Sequence, residues 1–251
     1  MTHFQRLGEC PIERQGAVGR GPADWCRTVG IDDEWGLATN SVDRAYLYRL
    51  AKQNIAPEKF FLSVMAWGAM RVDHGRSAWA VRKKWVPLVK LALDGTAHRS
   101  ELYREFIEAK VSGLGPAFFT KLIHFAGHGT NAAIGYIMDQ WTAKSVNLIA
   151  SEEGGRPVVD VSAGGWVART NDQHVYEAFC RKVDDLAQRL GVSGAQAEER
   201  LFSHGGWQPG AWRRYVAQHW KFDPSAKGAV SGRLPAGTLA SRARAPKEEE
   251  S

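Results

Sequence analysis

Val111 to Leu122, VSGLGPAFFTKL, decides how the rest of this 251-residue chain reads. Gly113-Leu114-Gly115 interrupts two segments of helical periodicity, and Pro116, suited to a first helical turn, opens the second. Two glycines around one apolar residue permit a very tight turn with exposed backbone N–H groups. The helix that follows directs its positive end outward. Turn and helix end together form an anion site, and the natural anion is a nucleic-acid phosphate. Before the turn, His98 to Lys110 predicts an amphipathic helix with Leu102, Phe106, Ile107 and Ala109 on its apolar side. After it, Pro116 to Ala126 carries Phe118, Phe119, Leu122, Ile123 and Phe125 and so predicts a buried helix. Lys121 is the one charged residue in that run. It costs desolvation unless it meets a carboxylate or an open pocket, or unless it snorkels to the surface. Asp139 then opens a further helix, QWTAKSVNLIA, where an aspartate ordinarily serves as an N-cap.

A helix, an apolar-Gly-apolar-Gly turn, a second helix and an Asp opening the next one resemble the helix-hairpin-helix DNA glycosylase superfamily. GLGPAFFTKLIHF with YIMDQW after it is most similar to the 8-oxoguanine-glycosylase-like branch, over roughly residues 100–150. The resemblance implies an all-α fold of two helical lobes flanking a cleft, with the hairpin (residues 99–127) at its mouth. It implies that a hairpin lysine attacks the sugar C1′ while an aspartate assists, and it carries Asp139 over directly. The family's lysine falls two residues after the second glycine, where Ala117 stands here. Lys121 lies four residues later, on the same helix face one turn along.

The composition suits that expectation. With 44% hydrophobic residues the chain can build one sizeable core or two small lobes. Net charge is +6, about +5 of it before the tail that starts at Asp223, and a basic body suits a polyanion. Cys10, Cys26 and Cys180 are scattered with no CxxC pair, which argues against a zinc site or Fe–S cluster and for a reducing cytoplasm. No cofactor or metal is expected. The N-terminus lacks an apolar signal core, and no run approaches the ~20 apolar residues of a membrane span. The expectation is a soluble bacterial cytoplasmic monomer.

Elsewhere, residues 1–40 read as an irregular arm pinned by Trp25 and Trp35. Asn40-Ser41 reads as a cap for a helix with Val42, Ala45, Leu47, Tyr48 and Ala51 at its spacing. Pro57 starts a buried helix that ends at Trp67-Gly68, facing a cleft or turn. Residues 71–90 carry six basic residues, Arg82, Lys83 and Lys84 among them, against Asp73, with Trp79 and Trp85 interleaved. Such a segment can grip a phosphate backbone while rings stack on bases, or can be a solvated face over buried tryptophans. Residues 151–171 read as a polar connection with a short extended piece at 157–161. Asp172 caps a long helix to Leu190, Ser193 opens another, Gly205-Gly206 breaks it, and Pro209 starts the last. Residues 1–222 form a single domain of two helical subdomains, and 223–251, without periodicity, read as a disordered tail.

In chemical terms, breaking an N-glycosidic bond develops positive charge at C1′, which a nearby carboxylate stabilises; the same carboxylate can deprotonate an attacking group. Asp139 takes this role. Lys121, with a neutral amine, can attack C1′ and permit strand cleavage; if charged, it leaves the attack to water. The target base must leave the duplex. Gly113, Leu114 and Gly115 with Arg82, Lys83 and Lys84 would hold the double-stranded DNA. Trp67, Trp141, Trp212 and His124 are pocket candidates, with Trp207 beside them, while Asp73, His74 and His128 read as surface or capping residues. The substrate would be a modified base, either an oxidised purine or a hypermodified base of phage DNA attacked in defence. Two readings compete with the enzyme: a helix-hairpin-helix module that binds DNA without cutting it, and a helical scaffold whose Gly-Leu-Gly is only a turn.

Overall fold

A computed structural model describes residues 1–12, 16, 19–130, 133–204 and 209–223. Among these, twelve helices and no strand are present; an isolated antiparallel bridge joins Val161 and Val167. The helices are α1 His3–Glu9, α2 Pro22–Val29, α3 Arg44–Ala51, α4 Pro57–Trp67, α5 Val72–Ala80, α6 Arg82–Asp94, α7 Arg99–Ala109, α8 Pro116–Gly127, α9 Gln140–Glu152, α10 Gln173–Leu190, α11 Gly194–Phe202 and α12 Ala211–His219. The fold is all-α, as the resemblance implies.

Two groups of helices share α8. On one side α2 to α6 pack together, and α3, α4 and α6 lie against α8; on the other α7 packs on α8 and α10, α10 on α9 and α11, and α12 on α9 and α11, with α1 on α9, while α6 also packs on α7. One hydrophobic cluster runs through both groups. Phe61 stacks on Trp85 at 3.9 Å in the first, and Tyr103 on Tyr176 at 4.5 Å in the second. The starts of α9, α10 and α11 are fixed by Asp139, Asp172 and Ser193, each accepting first-turn amide bonds, as the sequence predicts.

The N-terminal forty residues depart from expectation. The described residues among them are not an irregular arm: Thr2 forms a capping box with Gln5 to start α1, and Pro22 starts α2. Trp25 does pin this region, donating its indole N–H to the Met70 carbonyl at 2.9 Å. The cap of α3 is Asp43, not Asn40-Ser41. The last helix begins at Ala211, two residues after Pro209. The Gly205-Gly206 break and the tail beyond Asp223 lie outside the described residues.

Between α8 and α9 the chain runs extended and buried from Gly135 to Asp139 without any ladder partner. Buried backbone carbonyls need donors, and here side chains from four helices supply them. Arg99 Nη1 reaches the Ile134 carbonyl at 2.7 Å, and the His124 ring bonds the Gly135 carbonyl at 2.9 Å. Tyr176 donates to the Tyr136 carbonyl at 3.0 Å, and Thr142 to the Ile137 carbonyl at 2.7 Å. The Met138 N–H donates to Thr120 Oγ1 at 3.1 Å. A Cβ on Gly135 would collide with the Tyr176 hydroxyl, so this position accepts only glycine. This strap carries Asp139 to its place.

The strap's stability should follow its donors. Arg99 also forms a bidentate pair with Glu177, at 2.9 and 3.0 Å, but Glu177 keeps Arg181 at 3.1 Å, so Arg99→Met should cost about 1–3 kcal/mol, chiefly by orphaning the Ile134 carbonyl. Tyr176→Phe, which orphans one carbonyl, should cost about 1–3 kcal/mol. Urea unfolding midpoints of the two variants against wild type measure both.

Candidate active site

The hairpin turn is fixed by residues that permit its tight geometry. Gly113 has φ +77, and a Cβ there would collide with the backbone of His74, so only glycine serves. Leu114, 3% exposed, anchors the turn in the core. Gly115 caps α8 with no side-chain bond to the first-turn amides, and Pro116 follows at the first helical position. The positive end of α8 is therefore uncapped by side chains. The Arg169 guanidinium stands 3.8 Å from where a Gly115 Cβ would sit, which adds a cation beside it.

Six residues along α8, one face is charged and enclosed. Lys121 is 7% exposed; its ammonium donates to the Ala117 carbonyl and lies 5.1 Å from the Phe118 ring. Its aliphatic stem passes so close to Gly68 that a Cβ there would stand 3.1 Å from Lys121 Cδ. Burial pushes its pKa below the ordinary lysine value; the Asp139 and Glu198 carboxylates pull it up and Arg44 pushes it down again. Asp139, 8% exposed, spends Oδ1 on the amides of Trp141 at 2.7 Å and Thr142 at 3.1 Å. Its Oδ2 has no hydrogen bond among the described residues. Lysine and aspartate thus lie in each other's field without a direct bond, each with one end tied to a helix backbone.

A buried ion pair completes this wall. Arg44, at the start of α3, bonds Glu198 of α11 at 2.5 Å, both almost fully buried. Burial pushes the Glu198 carboxyl up and Arg44 draws it down. The Arg44 guanidinium also lies 5.3 Å from the Trp67 ring. Trp67, 2% exposed at the end of α4, has an indole N–H with no acceptor among the described residues. An orphaned buried donor next to charged groups is costly unless a ligand completes it.

The pocket candidates divide. Trp67 belongs to the Lys121 wall, and the expected turn at Trp67-Gly68 is there. Trp141, half-buried, holds the Lys144 ammonium 4.9 Å from its ring and the Arg213 guanidinium at 4.7 Å. Trp212 does not line the site: it is 1% exposed, donates to Ser145 Oγ at 2.9 Å and stacks on Tyr215, so it packs α12 onto α9. His124 is fully buried and both ring nitrogens are used. The Gly135 carbonyl can only accept, so Nδ1 carries the proton, and Nε2 faces the Tyr48 hydroxyl at 3.0 Å and Arg44 at 3.4 Å. It holds the strap, with both ring nitrogens facing protein groups. Trp207 lies outside the described residues.

The basic segment is less open than its charge implies. Arg71 pairs with Asp73, Arg76 bonds the carbonyls of Val29 and Thr28, and Lys90 pairs with Asp94. Trp85 is wholly buried and Trp79 packs edge-on against Trp35 at 5.4 Å, so the interleaved rings belong to the core. Arg82, Lys83 and Lys84 remain exposed, Arg82 beside Trp79 and Lys84 reaching the Ala109 carbonyl at 3.4 Å. Sequence reasoning missed Arg44 and Glu198. They stand 154 positions apart, and neither local pattern marks them as partners.

Near the site, His128 at the end of α8 has its pKa lowered to about 4 by burial, with Arg44 and Lys52 adding to it. A depressed histidine stabilises the fold above its unfolded value of about 6.5, and that contribution is lost as pH falls toward about 4. His128→Gln should therefore flatten the acid limb. Its unfolding free energy relative to wild type should rise by at most about 1.4 kcal/mol per pH unit between those limits, read from urea unfolding at pH 7, 6 and 5.

Among the described residues no helix is long and apolar enough to cross a membrane, and no three His, Cys, Asp or Glu side chains are grouped to hold a metal ion. No curated protein and no solved structure matches the chain. One family does, described as "Putative 8-oxoguanine DNA glycosylase OGG-like protein", and it matches residues 14–202. That span takes in the hairpin, Lys121, Asp139 and the Arg44–Glu198 pair, and the chain belongs to this OGG-like DNA glycosylase family.

Proposed function

We propose that the protein is a DNA glycosylase that extrudes a modified base from duplex DNA and cleaves its N-glycosidic bond. The observation that carries this reading is the enclosed Lys121–Asp139 pair behind an uncapped hairpin helix. The Gly113 and Gly115 amides and the positive end of α8 would take a phosphate near the lesion, the Leu114 amide being held by the Val111 carbonyl, with Arg82, Lys83 and Lys84 as further backbone contacts. Asp139, through Oδ2, would stabilise the charge that develops at C1′.

Lys121 is the nucleophile in this reading. Attack needs a neutral amine, and burial moves the amine in that direction. The lone pair forms a bond to C1′ as the C1′–N bond breaks, and the electron pair leaves with the base, which takes a proton. The new ammonium loses a proton, O4′ takes one as the nitrogen lone pair expels it from C1′, and the opened sugar is left as a protonated Schiff base, from which strand cleavage can follow. The Trp67 indole N–H would donate to an acceptor atom of the extruded base. The family description points to an oxidised purine; a hypermodified phage base is the alternative substrate.

The test is abasic-site formation on an oxidised-guanine duplex, a uracil duplex, plain DNA and glucosylated-hydroxymethylcytosine phage DNA. Abasic sites should appear on one modified substrate, and Asp139→Asn should slow their formation by about 100-fold or more. Borohydride should trap wild type on that DNA and leave Lys121→Gln free. Excision without trapping would transfer the attack to water. Tight DNA binding with no abasic sites on any substrate would overturn the enzyme reading in favour of a binding module.

A further inference from the structure

Outside this site, one aromatic residue is displayed to solvent by a segment that is otherwise tightly tied down. Trp166, between α9 and α10, is 62% exposed, against 42% for Phe222 near the end of the described chain. Its loop is not loose. Val161 and Val167 form the antiparallel bridge, the Ser162 N–H donates to the Trp166 carbonyl at 2.8 Å, and the Gly165 N–H to the Ser162 carbonyl at 2.8 Å. Gly165 takes φ +81 to close the turn. At the base, Asn171, 1% exposed, donates to the carbonyls of Asp160 at 2.9 Å and Ala168 at 2.7 Å, and accepts from the Asp160 N–H at 2.8 Å. The indole lies over Gly164, where a Cβ would stand 3.1 Å from its Cδ1. A rigid support for an exposed ring costs burial and gains nothing in the isolated fold.

The loop's neighbours say what the ring would meet. Lys144 reaches it from the first turns of α9: a Cβ on Gly165 would stand 2.7 Å from the Lys144 ammonium, and the Asp139 carboxylate acts on that same ammonium. Arg169, three residues beyond the ring, stands beside Gly115 of the hairpin and pairs with no carboxylate among the described residues. The loop thus joins the start of α9 to the hairpin, and its edge is cationic on both sides. An exposed ring on a loop bordered by Lys144 at Gly165 and by Arg169 at Gly115, next to the proposed phosphate-binding turn, matches the chemistry of an unstacked nucleobase between phosphates.

We infer that Trp166 stacks on a base of duplex DNA exposed when the target nucleotide leaves the helix, with Lys144 and Arg169 on the adjoining phosphates. The role rests on the glycosylase reading above, but it needs no knowledge of which base is excised. Occupying the gap holds the duplex open; the ring touches no reacting atom.

A tetrahydrofuran abasic analogue in a duplex of about 25 base pairs, with 2-aminopurine opposite it, supplies the probe. Wild type and Trp166→Phe should both alter 2-aminopurine emission at saturation, and Trp166→Ala should not. Trp166→Ala should bind the abasic duplex about 10-fold or more weakly, yet bind the intact duplex within about 2-fold of wild type and unfold at the same temperature. Equal affinity and equal emission change for Trp166→Ala would overturn the stacking role while leaving the glycosylase reading in place. A wild-type protein that binds neither duplex would overturn both.

Discussion

A buried backbone segment with no ladder and no helix must find its hydrogen bonds elsewhere, and the rest of this structure depends on how residues 134–138 find theirs. Each carbonyl from Ile134 to Ile137 takes a side chain: Arg99 from α7, His124 from α8, Tyr176 from α10 and Thr142 from α9. Thr120 receives the Met138 N–H. Four helices are thereby referenced to one short piece of chain. Asp139 ends that piece, so its position relative to Lys121 on α8 is set by the whole arrangement and not by the helix it caps.

Charge inside the wall is arranged in opposed pairs. Asp139 and Glu198 both act on Lys121, and Arg44 neutralises Glu198 at 2.5 Å. Two cations and two carboxylates in a water-poor enclosure remain tolerable because each keeps a backbone or side-chain partner. The arrangement leaves the lysine with less charge stabilisation than water would give it, which is the condition an amine nucleophile needs. Arg44 also connects α3 to α11, so the same ion pair spans the two groups of helices.

What the sequence disclosed follows from how local each signal is. Asp139, Asp172 and Ser193 are caps whose effect lies within three residues, and all three were legible. Gly113 was legible because a hairpin turn against His74 tolerates no Cβ. The helices α1 and α2 were hidden by glycine, proline and charge, although Thr2 with Gln5 and Pro22 are themselves start signals. Trp212 and His124 were ambiguous because an aromatic or imidazole ring reads alike in a core and in a pocket. Only Ser145 for one, and Gly135 with Tyr48 for the other, assign them to packing. Arg44 and Glu198 had no local pattern, since their pairing depends on helices distant in the chain.

The strap also has a kinetic side. Apart from the Thr142 bond to Ile137, its carbonyls depend on α7, α8 and α10, so it is fully satisfied only once those helices have docked around it. Its partner Tyr176 lies 40 positions beyond Tyr136. During synthesis the carboxylate of Asp139 therefore has no fixed address until the first turns of α10 have emerged and returned to the body. The Lys121–Asp139 arrangement thus rests on contacts of long sequence separation. A chain interrupted before that point carries Lys121 and Asp139 without the contacts that set Asp139 in place.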